Sequence, residues 1–151
     1  MTHRPTLFSR EPLPAAGIVA YIDGGARGNP GPAGYGVRIE GPDGTMIEEF
    51  SGSIGIATNN VAEYSALIAA LKWARDHGHE RVLVRSDSLL LVQQMLGNYK
   101  VKHPGLRPLH EEARSLARAI GQVRFEHVRR ASNAHADRLA NRAMDEGPAQ
   151  A

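Results

Sequence analysis

The sequence has no cysteine, which excludes disulfides and thiolate metal sites and leaves oxygen and imidazole as the only ligands a metal could find. It has little lysine: Lys72, Lys100 and Lys102 stand against fifteen arginines. The formal net charge is only +2, yet the planar fork of arginine suits bidentate contact with phosphate, so the bias hints at a polyanionic partner. Long apolar runs are missing as well. The stretch from Met1 to Gly17 carries Pro5, Pro12 and Pro14 among charged residues and lacks the apolar core of a signal peptide. No segment is long and apolar enough to span a bilayer. The expectation is a cytoplasmic protein with no membrane partner.

What is present suits one domain, since 151 residues with 42% apolar content can bury a single core. Residues 1–16 and 147–151 read as flexible tails, because proline and charge leave little apolar surface to dock. Residues 17–146 remain as the folded domain. Within it, residues 17–23 form a short apolar run ending at Gly24 and Gly25, as expected of a buried strand running into a loop. Residues 33–40 and 45–51 flank Gly41-Pro42-Asp43-Gly44, whose composition favours reversal into a hairpin. From residue 58 the period changes to that of a helix, with Tyr64, Leu67, Ile68, Leu71 and Ala74 on one face, asparagines at hand for the cap and Gly78 as the stop. Residues 81–87 read as a fourth strand and 89–96 as a short helix whose apolar surround predicts deep burial. A helix over 107–120, a strand over 123–128 and a helix over 132–144 capped by Ser132 or Asn133 complete the order β-β-β-α-β-α-α-β-α. Strands joined through helices run parallel and hairpin strands antiparallel, which predicts an α/β fold with a five-stranded mixed sheet covered by helices on both faces.

Four acids fall at the ends of elements. Asp23 and Asp87 fall at the C-terminal ends of expected strands, where such sheets keep their ligand sites, and Glu63 and Asp137 fall in the first turns of helices. Should the four converge, their mutual repulsion calls for a hard divalent cation. Each acid also has an ordinary explanation: Asp23 as a turn residue, Glu63 as a partner of the helix dipole, Asp87 as an N-cap, Asp137 as a partner of Arg138 or Arg142.

Four stretches resemble the type 1 ribonuclease H family, and the likeness runs over about residues 17–144. Asp23-Gly24-Gly25-Ala26-Arg27-Gly28-Asn29-Pro30-Gly31 is similar to that family's first strand and glycine-rich turn. Thr58-Asn59-Asn60-Val61-Ala62-Glu63 is similar to its helix start, Ser86-Asp87-Ser88 to its third acid, and Asn133-Ala134-His135-Ala136-Asp137 to its last. The resemblance implies a ribonuclease H-like fold and an endonuclease that cuts the RNA strand of RNA–DNA hybrids, leaving 5′-phosphate and 3′-hydroxyl ends. It implies two Mg²⁺ ions, with Mn²⁺ as a substitute, held by Asp23, Glu63, Asp87 and Asp137 for an in-line displacement at phosphorus. It further implies that Gly28, Asn29, Asn59 and Asn60 read 2′-hydroxyls in the minor groove of the hybrid and that Thr58 holds a phosphate of the DNA strand.

The sequence departs from better-known bacterial members in four places. The loop that carries a histidine before the last acid is missing, since Arg129-Arg130-Ala131-Ser132 passes almost directly from strand to helix. Arg130 is the expected replacement, contacting the scissile phosphate. His135 lies roughly 200° around the helix from Asp137 and should point away from it, and His127 reads as structural. The basic handle is shortened, with Lys100 and Lys102 left to touch DNA phosphates. Leu89 and Ile56 stand where Gln and Arg are common in the family. His77 and His79 read as a helix C-terminus, Trp73 as core packing, and Arg107, Arg114 and Arg118 as a solvated helix face. Two competing readings share these features: a nucleic-acid-binding module without turnover, and another metal-dependent phosphodiesterase on the same fold. A monomer is expected.

Overall fold

A computed structural model describes residues 17–147. The expected tails, 1–16 and 148–151, lie outside the described residues. Strands β1 (Ile18–Ala26), β2 (Gly31–Glu40) and β3 (Met46–Ala57) form an antiparallel meander. Helix α1 (Asn59–Asp76) crosses to β4 (Arg81–Ser86), and α2 (Leu89–Met95) and α3 (Arg107–Ile120) lead to β5 (Gln122–His127). A 3₁₀ turn (Arg130–Asn133) then runs into α4 (Ala134–Glu146). The sheet order is β3-β2-β1-β4-β5, with β4 parallel to both β1 and β5. This is the expected five-stranded mixed sheet.

Side-chain parity along the central strand separates the two faces. Ile18, Ala20 and Ile22 point to one face, where they pack with Val37, Ile39, Val82 and Val84 against Leu67 and Leu71 of α1 and Leu116 and Ile120 of α3. The other face carries α4. Both faces of β1 and β2 are therefore covered, and each buried Leu or Ile contributes on the order of 1.5–3 kcal/mol by leaving water. Among the described residues no helix is long and apolar enough to cross a membrane.

Two helices press on the sheet more closely than side chains would permit. A Cβ at Gly24 would fall on the backbone carbonyl of Ala62 in α1, and one at Gly36 would meet the Ala136 carbonyl and Leu139 of α4. Gly24 and Gly36 sit one residue apart across the β1–β2 ladder, because Asp23 pairs with Gly36. Glycine here lets α1 and α4 lean in from opposite faces beside Asp23.

Several expectations need correction. β1 does not end at Asp23 but continues to Ala26, since β2 goes on pairing with it after β4 has stopped at Ser86. β3 extends to Ala57, beyond the expected 51, along the same long partner. The α1 cap is Thr58, whose Oγ1 accepts from the Val61 N–H at 3.2 Å, and not an asparagine. Helix α2 is not deeply buried all round: Leu91, Val92 and Met95 are buried, whereas Leu89 is 46% and Leu90 39% exposed. A two-turn helix on the flank of a sheet has only one face to hide, whatever its composition. Neither Ser132 nor Asn133 caps α4 through its side chain. Gly147, assigned to the tail, is the C-cap of α4 with φ +71°, its N–H donating to the Ala143 carbonyl.

Candidate active site

The last parallel pair between β1 and β4 is Ile22 with Ser86. Asp23 and Asp87 follow it directly, at the step where β4 ends and β1 continues with β2 alone. Their side chains therefore stand at an opening in the sheet edge. Glu63 reaches the same place from α1, brought in by the close approach at Gly24. It lies in the second turn of that helix, and not the first as expected, with no acid in the first turn. One carboxylate oxygen from each of Asp23, Glu63 and Asp87 lies within 4.8 Å of the others. Asp137, in the first turn of α4 as expected, lines the same cleft of about 660 Å³. Its carboxyl bears on that of Asp23, whose pKa it raises, and makes a 3.6 Å contact with Arg130 Nη2.

The electrostatics follow from crowding and burial. Burial first, and then the charges of Asp87 and Asp137, push the Asp23 carboxyl up to about 8. Burial and the neighbouring Asp23 and Asp87 hold Glu63 well above the usual carboxylate range. Asp87 is raised mainly by burial, partly offset by the positive charge of Arg130. Glu63 Oε2 is buried and has no hydrogen-bond partner among the described residues. A buried carboxylate oxygen left unsatisfied is costly, and clustered carboxylates cannot all ionise unaided. A hard divalent cation with an oxygen ligand set resolves both conditions at once, so the residues present fit such a metal.

The ordinary explanations for the single acids do not hold. Asp23 is in the interior of a strand and begins no turn. α2 is capped by Ser88, whose Oγ accepts from the Leu91 N–H, so Asp87 is free of that duty. Arg138 pairs with Glu49 and Arg142 with Glu146, leaving Asp137 to the cleft.

The other expected site residues divide into groups. Arg130 stands at the mouth of the cleft, 80% exposed and facing Asp137. Asn29 and Asn59 clasp the β1–β2 turn to the start of α1: Asn29 Oδ1 accepts from the Asn59 N–H at 2.9 Å, and Asn59 Oδ1 accepts from the Ala26 N–H at 2.8 Å. Their amide oxygens are thus engaged, and their Nδ2 groups remain as donors. Asn59 lines the cleft, whereas Gly28, Asn29, Thr58 and Asn60 form an exposed rim beyond it. Lys100 and Lys102 lie apart, in the exposed loop after α2. His135 turns away towards Glu49, as expected. Trp73 packs at the core margin, where its ring stacks on His77 and His79 and its Nε1 donates to Glu48.

Some cleft residues escaped the sequence reading. Arg27, Arg129, Asn141 and Met144 line it. Asn141 Nδ2 donates to the Asp137 carbonyl at 2.8 Å. His127, read as structural, also lines the cleft, with Nε2 3.3 Å from the Asp87 carbonyl. The doubled arginine at 129–130 was the one available signal for Arg129; nothing local marks Asn141 or Met144.

Comparison with known proteins agrees with this geometry. Residues 21–143 match the family described as reverse transcriptase-like. The chain is similar to the bifunctional protein Rv2228c of Mycobacterium tuberculosis, 50% identical over 129 residues, covering 85% of this chain and 35% of that protein. It thus spans about a third of the length of that relative. It is also similar to ribonuclease HI of Halobacterium salinarum, 44% identical over 85% of this chain and 65% of that one. Among solved structures, LC11-RNase H1 in complex with an RNA/DNA hybrid superposes with a TM-score of 0.82 at 46% identity, covering 85% of this chain and 97% of that chain.

Proposed function

We propose, since this chain belongs to the type 1 ribonuclease H family, that it hydrolyses the RNA strand of RNA–DNA hybrids internally and leaves 5′-phosphate and 3′-hydroxyl ends. The observation that carries this reading is the trio of carboxylates within 4.8 Å of one another, with Asp137 beside it and a buried oxygen of Glu63 lacking any partner among the described residues. Asp23 feels the charges of Asp87 and Asp137, and Glu63 those of Asp23 and Asp87, so the four acids share one field. Asp23, Glu63, Asp87 and Asp137 would together hold two divalent ions. Mg²⁺, or Mn²⁺ in its place, would supply Lewis-acid stabilisation of the charge that develops on the attacked phosphate and the departing 3′ oxygen.

The residues of the chain supply position and selectivity. Arg130, exposed at the cleft mouth, reaches the scissile phosphate with its guanidinium and steadies its charge. The Nδ2 groups of Asn29 and Asn59, whose oxygens lock the turn to α1, donate to 2′-hydroxyls, which only the RNA strand has. Asn60 and the backbone of Gly28 extend that rim. The Thr58 hydroxyl takes a phosphate of the DNA strand, and Lys100 and Lys102 attract its backbone further along.

The test is incubation with labelled RNA–DNA hybrid, duplex DNA and duplex RNA in Mg²⁺, Mn²⁺ or EDTA. Metal-dependent cutting of the RNA strand of the hybrid alone is expected. Binding without cutting, or cutting of duplex DNA, would sink the reading.

A further inference from the structure

A second concavity lies on the flank of the sheet, between the end of α2, the loop after it and the outward side of α3. It shares no lining residue with the acidic cleft. Along α3 it runs from Arg107 to Gly121, about 21 Å at the rise of an α-helix. That end adjoins the start of β5, whereas the acidic cleft takes His127 from the opposite end of the same strand. Arg107 Nε donates to the Val101 carbonyl at 3.2 Å and pins the loop to the helix, which fixes the groove's upper wall.

Its floor and its rim differ in chemistry. Met95, Leu96, Val101, Ala117 and Phe125 form an apolar floor. Lys100, Arg107, Arg114 and Arg118 stand around it, with Glu111 as the single acid. Glu111 lies 3.6 Å from Arg118, but both are mostly exposed, and an exposed pair of this kind leaves both charges largely available. The cavity of about 860 Å³ lies within the range of small-molecule sites, but its lining runs the length of α3, the shape of a groove for an extended chain.

We propose that this groove docks an extended acidic segment of a partner protein, about six residues long, in which apolar side chains alternate with aspartate or glutamate. In an extended chain successive side chains point to opposite sides, and ~21 Å corresponds to about six residues. One set of side chains then fills the apolar floor while the other meets the four cations. A nucleic-acid strand fits less well. It carries a phosphate at every step, and its apolar surface is limited to base faces that need exposed aromatic rings to stack on. Tyr99, at one end of the groove, is the one lining aromatic that stands well exposed. Lys100, assigned to the DNA backbone, stands where the two surfaces meet; beyond it the groove with Arg107, Arg114 and Arg118 is a recruitment surface beside the nucleic-acid site.

The experiment is fluorescence anisotropy on the full chain with a labelled hexapeptide of alternating glutamate and leucine. A lysine–leucine hexapeptide, a hexaglutamate and a single-stranded DNA oligonucleotide are run in parallel. The glutamate–leucine peptide is expected to bind best, to weaken at least about tenfold in the double variant Arg114→Glu, Arg118→Glu, and to weaken with added salt. Hybrid cleavage by that variant should be unchanged, which shows that the protein still folds. Four results would overturn the proposal: no saturable binding up to about 1 mM, equal binding of the lysine–leucine peptide, no effect of the charge reversal, or tighter groove-dependent binding of the oligonucleotide. The last would make the groove a nucleic-acid contact.

Discussion

The side-chain Nδ2 of Asn133 donates to the backbone carbonyl of Ile22 at 2.8 Å, across 111 positions of sequence. Ile22 immediately precedes Asp23, and Asn133 sits one turn of helix before Asp137. The bond thus ties the strand that bears one acid to the helix start that bears another. Asn133 is 1% exposed and its Oδ1 has no hydrogen-bond partner among the described residues. Loss of the side chain would leave the Ile22 carbonyl without its donor in a dry site. Asn133→Ala is expected to cost about 1–3 kcal/mol of stability, measured by urea unfolding. It should also raise the half-saturating Mg²⁺ concentration, measured both by cleavage and by the thermal shift that Mg²⁺ produces. A variant that loses stability with an unchanged metal requirement would confine Asn133 to a structural role.

The charge state of Asp23 predicts how the metal-free protein responds to pH. Its carboxyl titrates near 8 when folded, against 3.8 as a free side chain, so between those values the folded state binds the extra proton. Stability in EDTA should then be greatest at acid pH, as far as this group contributes, and should fall as the pH rises from about 4 to about 8. Mg²⁺ should flatten the curve by favouring the ionised form. Asp23→Asn removes the titrating charge, so it should abolish cleavage while leaving the metal-free protein at least as stable at pH 8. A variant that unfolds at pH 8 would make Asp23 a structural residue.

Gly24 is the contact point between β1 and α1. A methyl group there would fall on the Ala62 carbonyl, in backbone that has nowhere to yield. Gly24→Ala should therefore cost roughly 3 kcal/mol or more, the upper range for an overpacked site. Whatever folds should carry Glu63 displaced from Asp23 and show weakened metal binding. Denaturant midpoints together with a Mn²⁺ titration monitored by electron paramagnetic resonance would measure both effects. Near-normal values for both would mean that the helix and strand slide apart without consequence.

These relationships show what could and could not be read in advance. Helix α1 was visible in the spacing of Tyr64, Leu67 and Leu71, which face the sheet. The bounds of α3 matched at both ends, because Pro108 opens it and Gly121 closes it. Local sequence marks such features. The extension of β1 past Asp23, and of β3 past Ser51, depends on pairing with β2, a partner that leaves no sign in either segment. The motifs located all four acids, yet the clasp between Asn29 and Asn59 and the bond from Asn133 to Ile22 join residues far apart in sequence. Asn133 looked like a cap because asparagine before a helix usually is one. Burial against β1 gave its amide a different partner. The arginines of α3 looked like an ordinary solvated face, and only the fold reveals the apolar floor beside them.

Arg130 offers the sharpest separation between holding metal and holding substrate. Its guanidinium is 80% exposed and 3.6 Å from Asp137, too open for that ion pair to add measurably to stability. Its charge also lowers the pKa of Asp87, against the larger effect of burial. Were its work confined to balancing acids, Arg130→Ala would shift the metal requirement and Arg130→Lys would restore it. Were it to contact the scissile phosphate, turnover should fall by about a hundredfold at saturating Mg²⁺ with the half-saturating concentration nearly unchanged. Lysine should then recover only part of the rate, since it lacks the planar fork. We expect the second pattern, with unfolding midpoints of both variants matching the parent. Single-turnover cleavage across a Mg²⁺ series would decide it, and an unchanged rate for Arg130→Ala would remove this residue from the reaction.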